Sequence, residues 1–274
     1  MDASHFTFYT VYCMPILTSA RNPLIKEVRR AILKGSTTAD GLCIAESFHL
    51  LEEALRSDCR VEAIFASESV RTAVETHVRG LRETSVFVLP DALFDSISAT
   101  ESSQGVMALV RPPQWTLEQL FRGQALVVVL DGVQDPGNAG ALIRAAEAFG
   151  ATGVASVKGT VSSYNPKTIR ASAGSMFRVP LVSGIDERLL LTAIEQRKMD
   201  MYALMPKGVL ELGECDLTRK CALIVGSEGH GVNERLRAKA MDVRIPTVGV
   251  ESLNAAMAGG IALYQARKQR MSAS

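Results

Sequence analysis

Val225-Gly226-Ser227-Glu228-Gly229-His230-Gly231-Val232 continues the apolar run Cys221–Val225, and Arg244-Ile245-Pro246-Thr247-Val248-Gly249-Val250-Glu251-Ser252-Leu253-Asn254 follows soon after it. Both segments set glycines, a carboxylate or a Ser/Asn pair just beyond short apolar strands. Glycine lets a backbone approach a ligand with no side chain in the way, so the pair predicts a site walled largely by main chain. Each segment also has a plainer reading. Gly226–Val232 serves as a tight strand-to-helix turn, with Glu228 at the helix start where a carboxylate suits the dipole. Ser252 and Asn254 serve as caps of the last helix. His230 reads as an exposed loop residue, since no nucleophile or orienting acid stands around it in sequence. The last helix, expected over 253–268, carries Ala255, Ala256, Ala258, Gly259, Gly260 and Ala262. So many small residues predict backbone or ligand packed close against it.

Further back lies Leu130-Asp131-Gly132-Val133-Gln134-Asp135-Pro136-Gly137-Asn138-Ala139-Gly140-Ala141-Leu142-Ile143-Arg144. The apolar run Ala125–Leu130 fits a parallel strand buried on both faces. A Gly/Pro turn and a helix over 138–149 follow, which places the turn at a strand's carboxyl end, where open parallel sheets bind ligands. Leu142, Ala146 and Phe149 face the core in this reading and Arg144 another side; Asn138 as a cap and Arg144 as a surface residue is the bland alternative. The chain has no GxxxxGK[ST] phosphate loop and no GxGxxG after a strand. Asp131-Gly132 is similar to the glycine loop of Rossmann-type methyltransferases, but Pro136 and the lack of a ribose-binding acid after Val154-Ala155-Ser156-Val157 weigh against that alternative.

Outside these segments the sequence sets bounds. The chain has 274 residues, 47% hydrophobic and 22% charged, with a net charge of +1; this is ordinary for a globular α/β protein of about two domains. Net charge therefore points to no nucleic acid, although Arg21, Lys26, Arg29, Arg30 and Lys34 crowd one early segment and Arg267, Lys268 and Arg270 another, each also consistent with a solvated helix face. The five cysteines are scattered without a CxxC pair or a histidine at metal-ligand spacing, so no metal site is expected and the thiols read as reduced in a cytoplasmic protein. Asp2 and His5 replace the basic start of a signal peptide, and no apolar run is long enough to cross a bilayer. Residues 1–15 read as an extension. From 16 to 110, helices expected over 23–33, around 48–55, over 70–81 and 91–96 alternate with strands over 42–45, 61–66, 86–89 and 106–110, which predicts a small α/β/α domain. Arg111-Pro112-Pro113 opens a linker (111–123). A second α/β domain (124–274) adds strands over 153–157, 179–182, 201–204, 221–225 and 243–245, with helices near 166–176 and over 186–197.

The three segments together resemble the SpoU (TrmH-like) family of RNA ribose 2′-O-methyltransferases, within the knotted SPOUT superfamily, from about Leu126 onward. Asn138 with Arg144, then Gly226 with Glu228 and Gly229, then Ile245-Pro246 with Ser252-Leu253-Asn254 stand in that family's order. Leu17-Thr18-Ser19-Ala20-Arg21-Asn22-Pro23-Leu24-Ile25-Lys26 and Gly105-Val106-Met107-Ala108 are similar to the ribosomal-protein-like RNA-binding domain that often precedes it. Where many relatives carry a basic loop and a Glu-Gly pair, this chain has Thr37-Thr38-Ala39-Asp40 and Glu46-Ser47. The resemblance implies a deep trefoil knot, a homodimer with the final helix in its interface, and S-adenosylmethionine held by Ala203, Leu204, Gly226, Gly229, Ile245, Ser252 and Leu253. It implies catalysis by Arg144, supported by Asn138, Glu228, Ser252 and Asn254, and RNA contacts from Arg21, Lys26, Arg29 and Arg144. The RNA is expected to be ribosomal; transfer RNA, or a non-catalytic RNA-binding or ribosome-assembly role on the same fold, are the alternatives.

Overall fold

A computed structural model of the chain describes residues 14–57, 59–79, 81 and 84–273. The expected extension lies almost wholly outside them, yet Met14 is already buried, and Pro15 and Leu17 hydrogen-bond Val88 through their backbones.

The first domain runs α1 (Pro23–Lys34), β1 (Cys43–Glu46), α2 (Phe48–Arg56), β2 (Arg60–Ser67), α3 (Arg71–His77), β3 (Ser85–Leu89), α4 (Asp91–Asp95) and β4 (Val106–Arg111). Its four strands form one sheet in the order β1-β4-β2-β3, parallel only between β2 and β3. Alternate strand residues point to opposite faces. Ile44, Phe65, Met107 and Leu109 meet α1 and α4 through Ile25, Val28 and Phe94 on one face. Cys43, Ala45, Val106 and Ala108 meet α2 and α3 through Leu50, Leu51 and Val74 on the other. The α/β/α layering follows from that alternation. Asn22 caps α1, and Gly35 ends it at φ +58°. Helix α3 is shorter than expected because residues 68–70 form a 3₁₀ turn and the helix ends before Val78.

The second domain begins after a one-turn helix, α5 (Leu117–Leu120), inside the expected linker. It continues with β5 (Leu126–Asp131), α6 (Pro136–Ala148), β6 (Gly153–Val157), α7 (Pro166–Ser172), β7 (Leu181–Ile185), α8 (Glu187–Gln196), β8 (Asp200–Leu204), β9 (Leu210–Glu211), β10 (Cys221–Gly226), α9 (Glu234–Arg237), β11 (Met241–Arg244) and α10 (Ala255–Ser272). The seven strands form a parallel sheet ordered β7-β6-β5-β10-β8-β11-β9. Leu126, Val128 and Leu130 face α6, α7 and α10; Val127 and Val129 face α5, α8 and α9. Both faces of β5 are thus covered, as its unbroken apolar run requires.

Several boundaries move for identifiable reasons. Asp135, not Asn138, caps α6: its carboxylate accepts the Asn138 backbone N–H at 2.7 Å. Strand β7 starts two residues late, since Val179 is bonded into the preceding 3₁₀ turn and Pro180 has no N–H. Strand β11 ends at Arg244 because Pro246 constrains Ile245. No helix starts at Glu228. The chain turns back on itself through Ser227 and Gly231, and α9 begins at Glu234 under an Asn233 cap. Cys43, Cys59, Cys215 and Cys221 are free; Cys13 lies outside the described residues. Among the described residues no helix is long and apolar enough to cross a membrane, and no group of three or more His, Cys, Asp or Glu side chains is placed to hold a metal.

Candidate active site

Strand order reverses between β5 and β10, and ligands in open α/β sheets sit beyond the carboxyl ends of strands at such a point. Strands β8, β10 and β11 all end there, around a cavity of about 490 Å³. Its walls are Leu204-Met205-Pro206 at the end of β8, Val225 to Gly231 at the end of β10 and in the turn after it, Val243 of β11 with Ile245 and Thr247 beyond it, and Glu251 to Ala255 with Ala258 at the start of α10. The volume suits a nucleoside-sized ligand, and Gly226, Gly229 and Gly231 stand in the stretch contributed by β10 and its turn.

That wall is tightly made. A Cβ on Gly226 would lie 2.1 Å from the Gly231 carbonyl carbon and 2.3 Å from the Val232 nitrogen. The turn is closed by reciprocal backbone bonds between Ser227 and Gly231, 3.0 and 2.9 Å, and by the Ser227 hydroxyl accepting the His230 N–H at 3.1 Å. Beyond it, the Asp131 carboxylate at the end of β5 accepts the Asn233 backbone N–H at 2.7 Å and its side-chain amide at 2.8 Å. Asp131 is 6% exposed, so its charge is desolvated and depends on those two donors. The Asn233 side-chain oxygen in turn caps α9. Sequence reasoning passed over this pair, although Asn before Glu-Arg-Leu is a cap signal.

At the mouth, three segments far apart in sequence are joined by one side chain. The Asn138 amide donates to Glu228 Oε1 at 2.6 Å, and its carbonyl oxygen accepts the Asn254 amide at 2.9 Å. Asn254 uses its own oxygen to cap α10 through Ala256 and Met257. Asn138 is free for this because Asp135 caps its helix. Arg144, six residues further along α6, is exposed and does not line the cavity.

Of the residues expected around the cofactor, Leu204, Gly226, Gly229, Ile245, Ser252 and Leu253 line the cavity. Ala203 does not: it is fully buried and paired in β8, one residue below the wall. In the first domain Arg21 and Lys26 are exposed around the start of α1, while Arg29 is half-buried and donates to the Ser96 hydroxyl at 3.1 Å. Small residues on α10 do bring it close: a Cβ on Gly259 would lie 2.2 Å from Leu142 of α6, whereas Gly260 faces open space.

Residues 125–264 match the SpoU rRNA Methylase family. The chain belongs to the SpoU rRNA methylase family. Residues 22–108 of this SpoU chain match the MRM3-like substrate binding domain. It is 32% identical to the Bacillus subtilis 23S rRNA (guanosine(2553)-2′-O)-methyltransferase RlmP, over 93% of this chain and 100% of that protein. Its fold superposes on the SpoU methyltransferase AviRb from Streptomyces viridochromogenes, in complex with AdoMet, with a TM-score of 0.83 and 25% identity, covering 92% and 99% of the two chains. An AdoMet-bound rRNA methyltransferase from Sinorhizobium meliloti superposes with a TM-score of 0.76 and 26% identity, covering 93% and 98%.

Proposed function

We propose that this SpoU protein transfers a methyl group from S-adenosylmethionine to a ribose 2′-hydroxyl of ribosomal RNA. The observation that carries it is the Glu228–Asn138–Asn254 bridge, which joins two residues lining a glycine-rich cavity to the helix that carries Arg144. The AdoMet-bound relatives share the fold, and the cavity fits the cofactor: its exposed backbone groups can bond an adenine edge, and Leu204, Ile245 and Leu253 offer apolar contact. The cofactor supplies an activated methyl on a positively charged sulfur. The protein's task is then alignment and the handling of one proton. Asn138 holds Glu228 and Asn254 in fixed register, and Ser252 lines the same cavity. Arg144 carries a planar guanidinium with five N–H donors and no acceptor. It acts as a clamp on the phosphate beside the target ribose and stabilises the ribose oxygen as its proton passes to water, the oxygen–methyl bond forms and the methyl–sulfur bond breaks. Arg21, Lys26 and Arg29 add phosphate contacts from the first domain, which position RNA without reading sequence.

We further propose a homodimer through α10, where Met257, Ile261, Tyr264 and Met271 repeat at helical spacing as exposed apolar side chains, and a deep trefoil knot formed by the segments around β10, β11 and α10. The test is incorporation of labelled methyl into ribosomal RNA and into transfer RNA from a strain lacking the protein, with 2′-O-methylation mapped by resistance to alkaline cleavage. Arg144→Ala is expected to lower turnover about 10²–10³-fold, in the range of a lost transition-state contact, with cofactor affinity within about twofold of wild type. Near wild-type turnover by that variant removes Arg144 from the chemistry, and methylation of transfer RNA alone overturns the ribosomal assignment.

A further inference from the structure

The two domains share a continuous core and meet along a seam in which α7 lies against β1. One ionic tie crosses that seam and ends on the helix that carries Arg144. Arg178, just before β7, binds Glu147 of α6 with two donors: Nε to Oε1 at 2.5 Å and Nη2 to Oε2 at 3.0 Å. Its remaining Nη1 donates to Glu53 Oε2 on α2 of the first domain. The Glu53 side chain is 13% exposed, and catalytic-domain backbone presses on it: a Cβ on Gly174, at φ +87°, would lie 2.6 Å from the Glu53 Cβ. The carboxylate is therefore seated, and Arg178 meets it with a planar fork already fixed by Glu147. Contact with Arg178 holds the Glu147 carboxyl below its usual range. Glu147 lies three residues from Arg144 on the same helix, about 4.5 Å along the axis.

We propose that Arg178 is a positioning residue for the methyl transfer: by joining Glu53 to Glu147 it sets the placement of the substrate-binding domain, and so of bound RNA, against Arg144. This rests on the methyltransferase function proposed above. Ion pairs with a solvent-accessible guanidinium such as Arg178 contribute only about 0–1 kcal/mol to stability. Geometry is far more sensitive, since an offset of about 1 Å between reacting groups lowers a rate by up to about 10²-fold.

Glu53→Gln in the full-length protein tests this, because it weakens the cross-domain bond and leaves Arg178–Glu147 intact within one domain. The expected result is a kcat on ribosomal RNA lower by roughly tenfold, with RNA and S-adenosylmethionine dissociation constants and Tm essentially unchanged. Arg178→Gln should show the same kcat loss, and the double variant no further loss, since both act through one contact. Independently of chemistry, spin labels on unnatural ketone residues replacing the exposed Leu33 and Leu189 should give a narrow interdomain distance distribution that broadens in Glu53→Gln. Wild-type kcat in Glu53→Gln, additive losses in the double variant, or an unchanged distance distribution would each overturn the proposal. A wild-type protein that methylates no RNA would instead overturn the methyltransferase function, and the distance measurement would still decide the tie.

Discussion

Gly226→Ala adds one methyl group where β10 hands over to the cavity wall. Its Cβ would lie 2.1 Å from the Gly231 carbon, 2.3 Å from the Gly231 oxygen and 2.3 Å from the Val232 nitrogen. All three atoms are backbone, so no rotamer change relieves the contact; the turn must move by more than 1 Å to reach ordinary van der Waals separation. Such a shift breaks the two reciprocal Ser227–Gly231 bonds, each worth about 1 kcal/mol net. Residual overpacking adds about 1–3 kcal/mol. A total of about 3–5 kcal/mol falls on the cavity wall itself, and at about 1.4 kcal/mol per decade it lowers S-adenosylmethionine affinity by about 100-fold or more. Calorimetric titration of wild type, Gly226→Ala and Gly213→Ala measures this; a Cβ on Gly213 meets nothing within 4 Å, so that control should bind normally. A Gly226→Ala dissociation constant within about threefold of wild type would refute the picture of a main-chain wall.

Asp131→Asn replaces one acceptor with a donor against Asn233 and should weaken cofactor binding about tenfold, the effect of one lost bond to a buried charge. The exchanged pair Asp131→Asn/Asn233→Asp restores complementary donors and acceptors and should recover most of that loss; failure of the exchange to improve on Asp131→Asn would mean the pair does not hold the wall. Ser47 adopts φ 143° with ψ 159°, a region that favours glycine. Ser47→Gly relieves that strain and forfeits the weak cap that Ser47 Oγ gives the Leu50 N–H at 3.1 Å, for a net gain of about 1 kcal/mol in urea unfolding; an unchanged or lower midpoint would count against backbone strain there.

The layers of both domains were legible because alternating and continuous apolar runs map directly onto covered sheet faces. Ala125–Leu130 read as a strand buried on both faces, and the short apolar run over 42–45 read as a strand of the smaller sheet. The cavity loops were legible because glycines after an apolar strand admit few other uses. The parts that were not legible depend on partners remote in sequence. Asn138 looked like a cap until Asp135 took that position and freed its amide. Glu228 looked like a dipole partner until the chain turned back before any helix began. Whether Ala203 or Leu204 faces the cavity was not legible, since the sequence does not say where β8 leaves the sheet. Asp131 and Asn233 were passed over because neither residue signals the other across the intervening hundred positions.

Residue type and spacing alone determined that this is a two-domain α/β chain with its site beyond the strands of the second sheet, since local backbone preference and burial of apolar faces operate within a few residues. Tertiary structure alone decided which polar groups meet. Only the juxtaposition of β5, β10 and α10 brings Asn138 between Glu228 and Asn254, and only the docking of the first domain brings Glu53 to Arg178. Hydrogen bonds and ion pairs act over about 3 Å, a distance that chain order does not encode.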